Sequence, residues 1–371
     1  MLRKVLVAVI LAVFMLSTQT TFAEIPIDWS KVRQVDSKSE LRAYMDEANK
    51  SGQTIVPVIL TNGLSLSVKD LLTLSSAFMI HCDVKGQNTQ NTWLVLTLKD
   101  YPGTRVANAY LSGNTDWLST DEMKLYNIAV GIVNKIKQDK SNRGLEDRAI
   151  RIYEEIINRV TYVSGDMDHQ PRFVTAIGAL VDGKANCQGY TDAFYMLGRM
   201  CGLNVGRISG TADGRPHMWN AVNYSREKGR TYFVDVTWGD QQVKHGDKYY
   251  QGYIYFNAPV EIMQVTHQWD PSLAPPNLQP DVDYEYSYSK WWRGSLARTT
   301  SAEAGLKLIA QKLNDGETWF SVMTPYDERY SPENNKQIID FLEKNITKAM
   351  TFNVNWRHYG KYMFYTGRVV D

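Results

Sequence analysis

The sequence predicts an α+β protein: a central unit of helices followed by antiparallel strands, flanked by two small α/β regions. Three observations predict it. Stretches of helical period fill the centre of the chain up to about residue 200. Strand-like runs rich in β-branched and aromatic residues dominate after Val205. The two outer stretches share an order of helix, Gly-x-Thr, strand, turn, helix and strand.

The chain opens on Arg3 and Lys4, an apolar run over residues 5–16, and Thr21-Phe22-Ala23 as a small-x-small cleavage site before Glu24. This is the pattern of an export signal over residues 1–23, with an apolar run too short to span a bilayer comfortably. An uncleaved amphipathic anchor is the alternative. No cysteine follows the run, so a lipoprotein-type anchor is not supported, and no second apolar stretch has spanning length. The mature protein is expected to be exported (secreted, periplasmic or at the cell surface), with no stable membrane span after signal cleavage.

The first outer region covers residues 24–119. Leu41, Tyr44, Met45 and Ala48 mark one face of a helix over 39–50, and 54–60 and 93–98 read as strands. Residues 71–79 read as helical, and Tyr101-Pro102-Gly103 as a turn. The central unit covers residues 120–270 and opens with helices over 120–138 and 146–160. Residues 271–299 hold four prolines among 271–289 and an Asp/Tyr-rich stretch without helical period, the composition of a linker or extended wrap. The second outer region covers residues 300–371. Shifted by 264 positions, Ser37, Gly52, Thr54 and Ser67 fall on Ser301, Gly316, Thr318 and Ser331. An internal duplication would explain this, and it requires the same strand order in both regions.

With 371 residues and 43% hydrophobic content, the chain can build substantial cores. The 41 basic and 40 acidic residues nearly cancel, which argues against nucleic acid or an anionic membrane surface as partner. Three cysteines, Cys82, Cys187 and Cys201, are too few for a disulfide framework, and the odd count leaves at least one thiol unpaired within the chain. A Cys82–Cys201 pair would leave Cys187 free, but pairing depends on geometry.

The chemistry concentrates in residues 183–240. Gly183 and Asn186 are loop residues, and Tyr190, Phe194, Leu197 and Cys201 then follow at helical spacing, so a helix begins near Cys187. A thiol at a helix N-terminus meets the positive end of the dipole, which favours the thiolate, and the first N–H groups there can hold an oxyanion. Cys201, on the apolar stripe, reads as core. His217 begins one strand-like run, His-Met-Trp-Asn-Ala-Val, and Asp235 lies inside another, Thr-Tyr-Phe-Val-Asp-Val-Thr-Trp, with a polar stretch over 223–229 between them. A hairpin centred on Arg226 puts His217 directly opposite Asp235, close enough for imidazole to meet carboxylate. Taken singly, each residue has an ordinary structural role open to it. Together they supply a nucleophile, a base and a group to orient the base.

Cys187-Gln-Gly-Tyr, His217-Met-Trp-Asn and Asp235-Val-Thr-Trp resemble the three blocks of the transglutaminase-like superfamily, in the form found among secreted bacterial members. The order and the spacings of 30 and 18 residues match, and the resemblance covers roughly residues 147–240 well and residues 253–269 more loosely. It implies a papain-like transglutaminase core, in which the helix bearing Cys187 packs on an antiparallel sheet carrying His217 and Asp235. It also implies acyl transfer through a thioester. Many members have an oxyanion helper upstream of the cysteine; here Tyr162 and Gln188 are both candidates. Trp219 and Trp238 wall the site or simply pack the sheet. His267, in Thr-His-Gln-Trp, resembles a histidine found downstream in such bacterial proteins.

No cofactor is expected, and His81, His169, His245, His267 and His358 show no metal-ligand spacing. The acidic stretch over 164–171 reads as a solvated loop, with a substrate groove as the alternative. The reading is an exported, cysteine-dependent acyl transferase acting on protein or peptide amides, with a cell-surface or cell-wall component as a further candidate partner. Two alternatives stand beside it: a cysteine peptidase or amidase that uses water as acceptor, and a non-catalytic surface-binding or assembly module with a vestigial triad.

Overall fold

Ser37 accepts a hydrogen bond from Glu40 N and so caps the first helix, α1 (Lys38–Lys50), which buries Leu41, Met45 and Ala48. The computed structural model describes residues 27–67, 70–71, 74–140, 144–163, 171–224, 231–240, 243–245, 248–250, 255–258, 260–271, 297–359 and 362–370. The expected export signal, the acidic stretch before residue 171, the expected hairpin turn around Arg226 and most of the expected linker lie outside these residues.

Helix α1 packs on a sheet of β1 (Gln34–Val35), β2 (Ile55–Leu60), β3 (Phe78–Gln87) and β4 (Thr92–Asp100), in the order β1-β2-β4-β3. Two expectations are corrected here. The apolar stretch expected to be helical up to Met79 turns into β3 at Phe78, where pairing with β4 satisfies its backbone. The expected turn at Tyr101-Pro102-Gly103 is instead the start of α2 (Pro102–Ser112). Pro102 occupies the first turn, where its missing N–H costs nothing.

Helix α3 (Thr120–Gln138) starts at a full capping box between Ser119 and Glu122. It is followed by α4 (Leu145–Arg159), β5 (Thr161–Tyr162), α5 (Ala176–Leu180) and β6 (Lys184–Ala185). Next comes α6 (Cys187–Met200), which begins at the cysteine as expected. Tyr190, Phe194, Leu197 and Cys201 are fully buried in the helical core. The carboxylate of Asp192, also fully buried, ties four elements together. It accepts from Gly103 N at 3.0 Å and Ala176 N at 2.8 Å and pairs with Arg207 of the following strand. A Cβ at position 103 would lie 2.4 Å from Asp192 Oδ1, so only glycine admits this approach.

The strands of the central sheet are β7 (Asn204–Ala212), β8 (Arg215–Asn223) and β9 (Thr231–Val234). The chain continues through α7 (Val236–Gly239), the small hairpin β10 (Val243–His245) and β11 (Lys248–Tyr250), β12 (Phe256–Ala258), α8 (Val260–Met263) and β13 (His267–Gln268). The sheet order is β12-β9-β8-β7-β13, with every pair antiparallel. Side chains alternate along it: Val205, Val222 and Val234 join the helical core, while Ile208, Trp219, Ala221 and Phe233 face a second core.

That second core is shared with the C-terminal unit, through Met323, Tyr362 and Phe364. This unit comprises β14 (Ala297–Arg298), α9 (Ala302–Asn314), β15 (Trp319–Pro325), α10 (Asn335–Asn345), β16 (Thr351–Tyr359) and β17 (Tyr362–Val370). Its order, β14-β15-β17-β16, repeats that of the N-terminal sheet, with the first pair parallel and the others antiparallel in both. Ser301 caps α9 as Ser37 caps α1, and Gly52 and Gly316 both take left-handed φ after their helices. The same order is what an internal duplication requires. Among the described residues no helix is long and apolar enough to cross a membrane.

Candidate active site

Parallel pairing of β5 with β6 sets Tyr162 beside Ala185, two residues before the nucleophile candidate. Asn186 caps α6 with its side-chain oxygen, accepting from Gln188 N at 3.0 Å and Gly189 N at 3.3 Å. These two N–H groups, expected to be open for an oxyanion, are therefore engaged by the cap. The thiol of Cys187 is half-buried and is a hydrogen-bond partner of the His217 ring.

The β8–β9 hairpin does not have the expected register. Asn220 pairs with Val234 and Asn223 with Thr231, so the hairpin is centred one residue beyond Arg226 and the pairing slips by two. A slip of two preserves the face. Asp235 follows the last paired residue of β9 and caps α7, its Oδ1 accepting from Trp238 N at 3.1 Å. His217 reaches it diagonally, with Nε2 2.7 Å from Oδ2. A carboxylate only accepts, so Nε2 carries the proton and Nδ1 is the nitrogen left to serve the thiol.

A second histidine, His267, to which the sequence alone assigns no role, lies in the same cluster. His267 Nε2 is 3.0 Å from the same Asp235 Oδ2, and its Nδ1 is 2.8 Å from Thr266 Oγ1. Sequence spacing could not find it, because the edge strand β13 delivers it from beyond the hairpin. His217, Asp235 and His267 form a group with metal-ligand atoms within 4.8 Å of one another. Both imidazoles already donate to the carboxylate, so an ion there would have to displace two hydrogen bonds.

Aromatic rings enclose this cluster. Trp219 stacks on His217 with ring centroids 5.9 Å apart, Trp238 lies 4.8 Å from His267, and Tyr255 lies 5.7 Å from it. Trp219 both walls the histidines and packs the sheet through Phe233 and Trp269. In this apolar shell, burial disfavours charge on His217. The adjacent Asp235 carboxylate and its hydrogen bond, and then the thiol, outweigh that and push the ring up to about 10. Burial likewise opposes ionisation of Asp235, but the His217 charge and the hydrogen bonds from both histidines hold it well below the usual carboxylate range. The centre is thus built to hold an imidazolium against a carboxylate beside a thiol.

Of the two oxyanion candidates, Gln188 engages the Tyr101 phenol with its side chain. Tyr162 stands half-exposed near Cys187. Its phenol is raised above the ordinary value by burial and then by the Cys187 and Asp235 charges. All three cysteines are free, so the Cys82–Cys201 pair does not form. Burial pushes both of those thiols up to about 11, the behaviour of packing residues rather than nucleophiles.

A helix that begins at a cysteine, set against a His–Asp pair on an antiparallel sheet, is a layout that cysteine-dependent enzymes use. Residues 129–238 match the family model of the transglutaminase-like superfamily. The match includes Cys187, His217 and Asp235 and stops short of His267. No curated protein matches the chain closely enough to count as a relative. Three solved structures are distantly similar. One is described as a TGase, at 13% identity and TM-score 0.30, covering 60% of this chain and 62% of that one. The second is described as a candidate cysteine protease from Cytophaga hutchinsonii, at 11% identity and TM-score 0.25, covering 50% and 72%. The third is described as a candidate protease from Parabacteroides distasonis ATCC 8503, at 7% identity and TM-score 0.25, covering 85% and 66%. The chain spans less than two thirds of the first of these, and likenesses at such scores carry no functional inference.

Proposed function

We propose that this protein is an exported, cysteine-dependent enzyme that transfers the acyl group of a protein or peptide amide through a thioester on Cys187. The observation that carries the reading is the continuous hydrogen-bonded series from the Cys187 thiol through His217 to Asp235, with His217 Nε2 at 2.7 Å from the carboxylate. Cys187 acts as nucleophile, His217 as acid and base, and Asp235 as the group that fixes the ring and its charge.

The thiolate sulfur attacks the amide carbonyl carbon and the carbonyl oxygen takes the negative charge. We assign the donor to that oxygen to Tyr162, which is half-exposed and close enough to feel the Cys187 and Asp235 charges. As the carbon–nitrogen bond breaks, Nδ1–H of the His217 imidazolium gives its proton to the leaving amine, and the thioester remains. The second nucleophile, an amine or water, loses its proton to Nδ1 as it attacks the thioester, and the sulfur leaves as thiolate. Asp235 keeps Nε2–H donated throughout, and the tryptophan wall keeps bulk water from weakening the ion pair.

The test is mass mapping of the mature protein after incubation with a glutamine-containing peptide and a fluorescent primary amine. The expected result is an acyl adduct on Cys187 and amine incorporated into the peptide, both absent in Cys187→Ala. Deamidated or cleaved peptide without amine incorporation would assign the site to hydrolysis. Neither product and no adduct, with any of the peptides tried, would leave the non-catalytic surface module as the better reading.

A further inference from the structure

Asp235 is fully buried, yet its carboxylate accepts from three donors: Trp238 N at Oδ1, and both His217 and His267 at Oδ2. The fold commits an edge strand to the third of these. β13 has two residues; it pairs His267 with Ala212 and Gln268 with Thr211, and so brings the His267 ring within hydrogen-bond reach of the carboxylate. Its close approach depends on Gly210, where a Cβ would sit 2.2 Å from the Gln268 carbonyl oxygen and 2.9 Å from the Trp219 ring. The ring is itself locked, by Thr266 Oγ1 at Nδ1 and by Trp219, Trp238 and Tyr255 around it.

We infer that His267 is a positioning residue of the same centre, holding the Asp235 carboxylate in the orientation from which it supports the His217 imidazolium. The centre then has four members, Cys187, His217, Asp235 and His267, the last reaching the chemistry only through Asp235. This rests on the cysteine-site reading above. Without His267 the carboxylate keeps only His217 at Oδ2 and Trp238 N at Oδ1, and is held less firmly against turning about Cβ–Cγ. A buried carboxylate with fewer donors is also held less firmly in its charged form. Either change weakens the imidazolium, and with it the thiolate at acid pH.

The experiment measures the rate of Cys187 alkylation by iodoacetamide from pH 5 to 9 in the full mature chain. Wild type is compared with His217→Ala, His267→Leu, His267→Gln and Thr266→Val, each with its melting temperature. His267→Leu is expected to lose about tenfold or more of the rate at the acid end while approaching wild type at pH 9. In His267→Gln, the side-chain amide can donate from nearly the same place, and the acid-end rate should stay within about threefold of wild type. Thr266→Val, which frees Nδ1 without touching the carboxylate, should fall between them and covers the case in which the leucine variant does not fold. A merely structural histidine would lower the melting temperature in the leucine and glutamine variants alike and leave the pH profile in place, which overturns the inference. If wild type already behaves like His217→Ala, the cysteine-site reading falls and the inference falls with it. If only His217→Ala departs from wild type, the inference alone fails.

Discussion

Asp235 carries the electrostatics of the site, and its pairing with His217 makes stability depend on pH in a definite direction. The folded protein raises His217 from 6.5 to about 10. That contribution is complete below the ordinary imidazole value and is lost as pH rises towards the folded one. Asp235 is lowered from an ordinary 3.8, so its contribution is complete above that value and is lost as pH falls through the folded one. The pair therefore stabilises most between about pH 4 and 6.5. The stability difference between wild type and Asp235→Asn, measured by denaturant unfolding from pH 4 to 10, should be largest at the acid side and shrink steadily above about pH 6.5. A difference independent of pH would contradict the pairing. Much of this was legible in the sequence, because the three candidate residues, Cys187, His217 and Asp235, lie in three short blocks. The hairpin register was off by two, a slip that leaves the His217 and Asp235 faces unchanged. His267 was illegible as a partner, since its contact is made by a strand added at the far edge of the sheet.

Where local chemistry is complete, elements announce their ends. Ser119 and Glu122 cap α3 reciprocally, and that helix spans the residues its period predicts. Asn186 caps α6 with its side-chain oxygen alone, and here the cap also places the thiol. Asn186→Ala should cost about 1 kcal/mol in urea unfolding and lower the Cys187 alkylation rate; an unchanged midpoint would show that the first turn is held by packing alone. The elements missed were those in which tertiary pairing overrides a local signal. Phe78 and Met79, the first two residues of β3, read as the end of an apolar helical stretch until β4 lies beside them. Pro102 reads as a turn residue, although a proline in the first turn is equally a helix start. β1 and β14, at two residues each, are too short to leave a pattern.

Across the whole molecule, the two outer units are built on one topology but meet the central unit differently. The C-terminal sheet supplies Met323, Tyr362 and Phe364 to the core that backs Trp219, Phe233 and Tyr255, the wall of the candidate site. Phe364→Ala should cost about 3–5 kcal/mol, because its cavity opens in a core shared by two sheets. The same substitution should loosen the wall and slow alkylation at acid pH. Stability lost with no effect on the thiol would mean the C-terminal unit is a passive neighbour. The N-terminal unit meets the site through Tyr101, at the end of β4, whose phenol holds the Gln188 side chain next to the nucleophile.

The central claim is that Cys187 and His217 work as an ion pair held by Asp235. The most direct measurement is the pH dependence of Cys187 alkylation in the purified protein, mapped by mass spectrometry beside His217→Ala. The account predicts reaction well below the pH of about 8.5 at which an ordinary thiol ionises, and loss of that acid-side reactivity in the variant. A thiol that is inert, or that reacts as an ordinary one in both proteins, would contradict it.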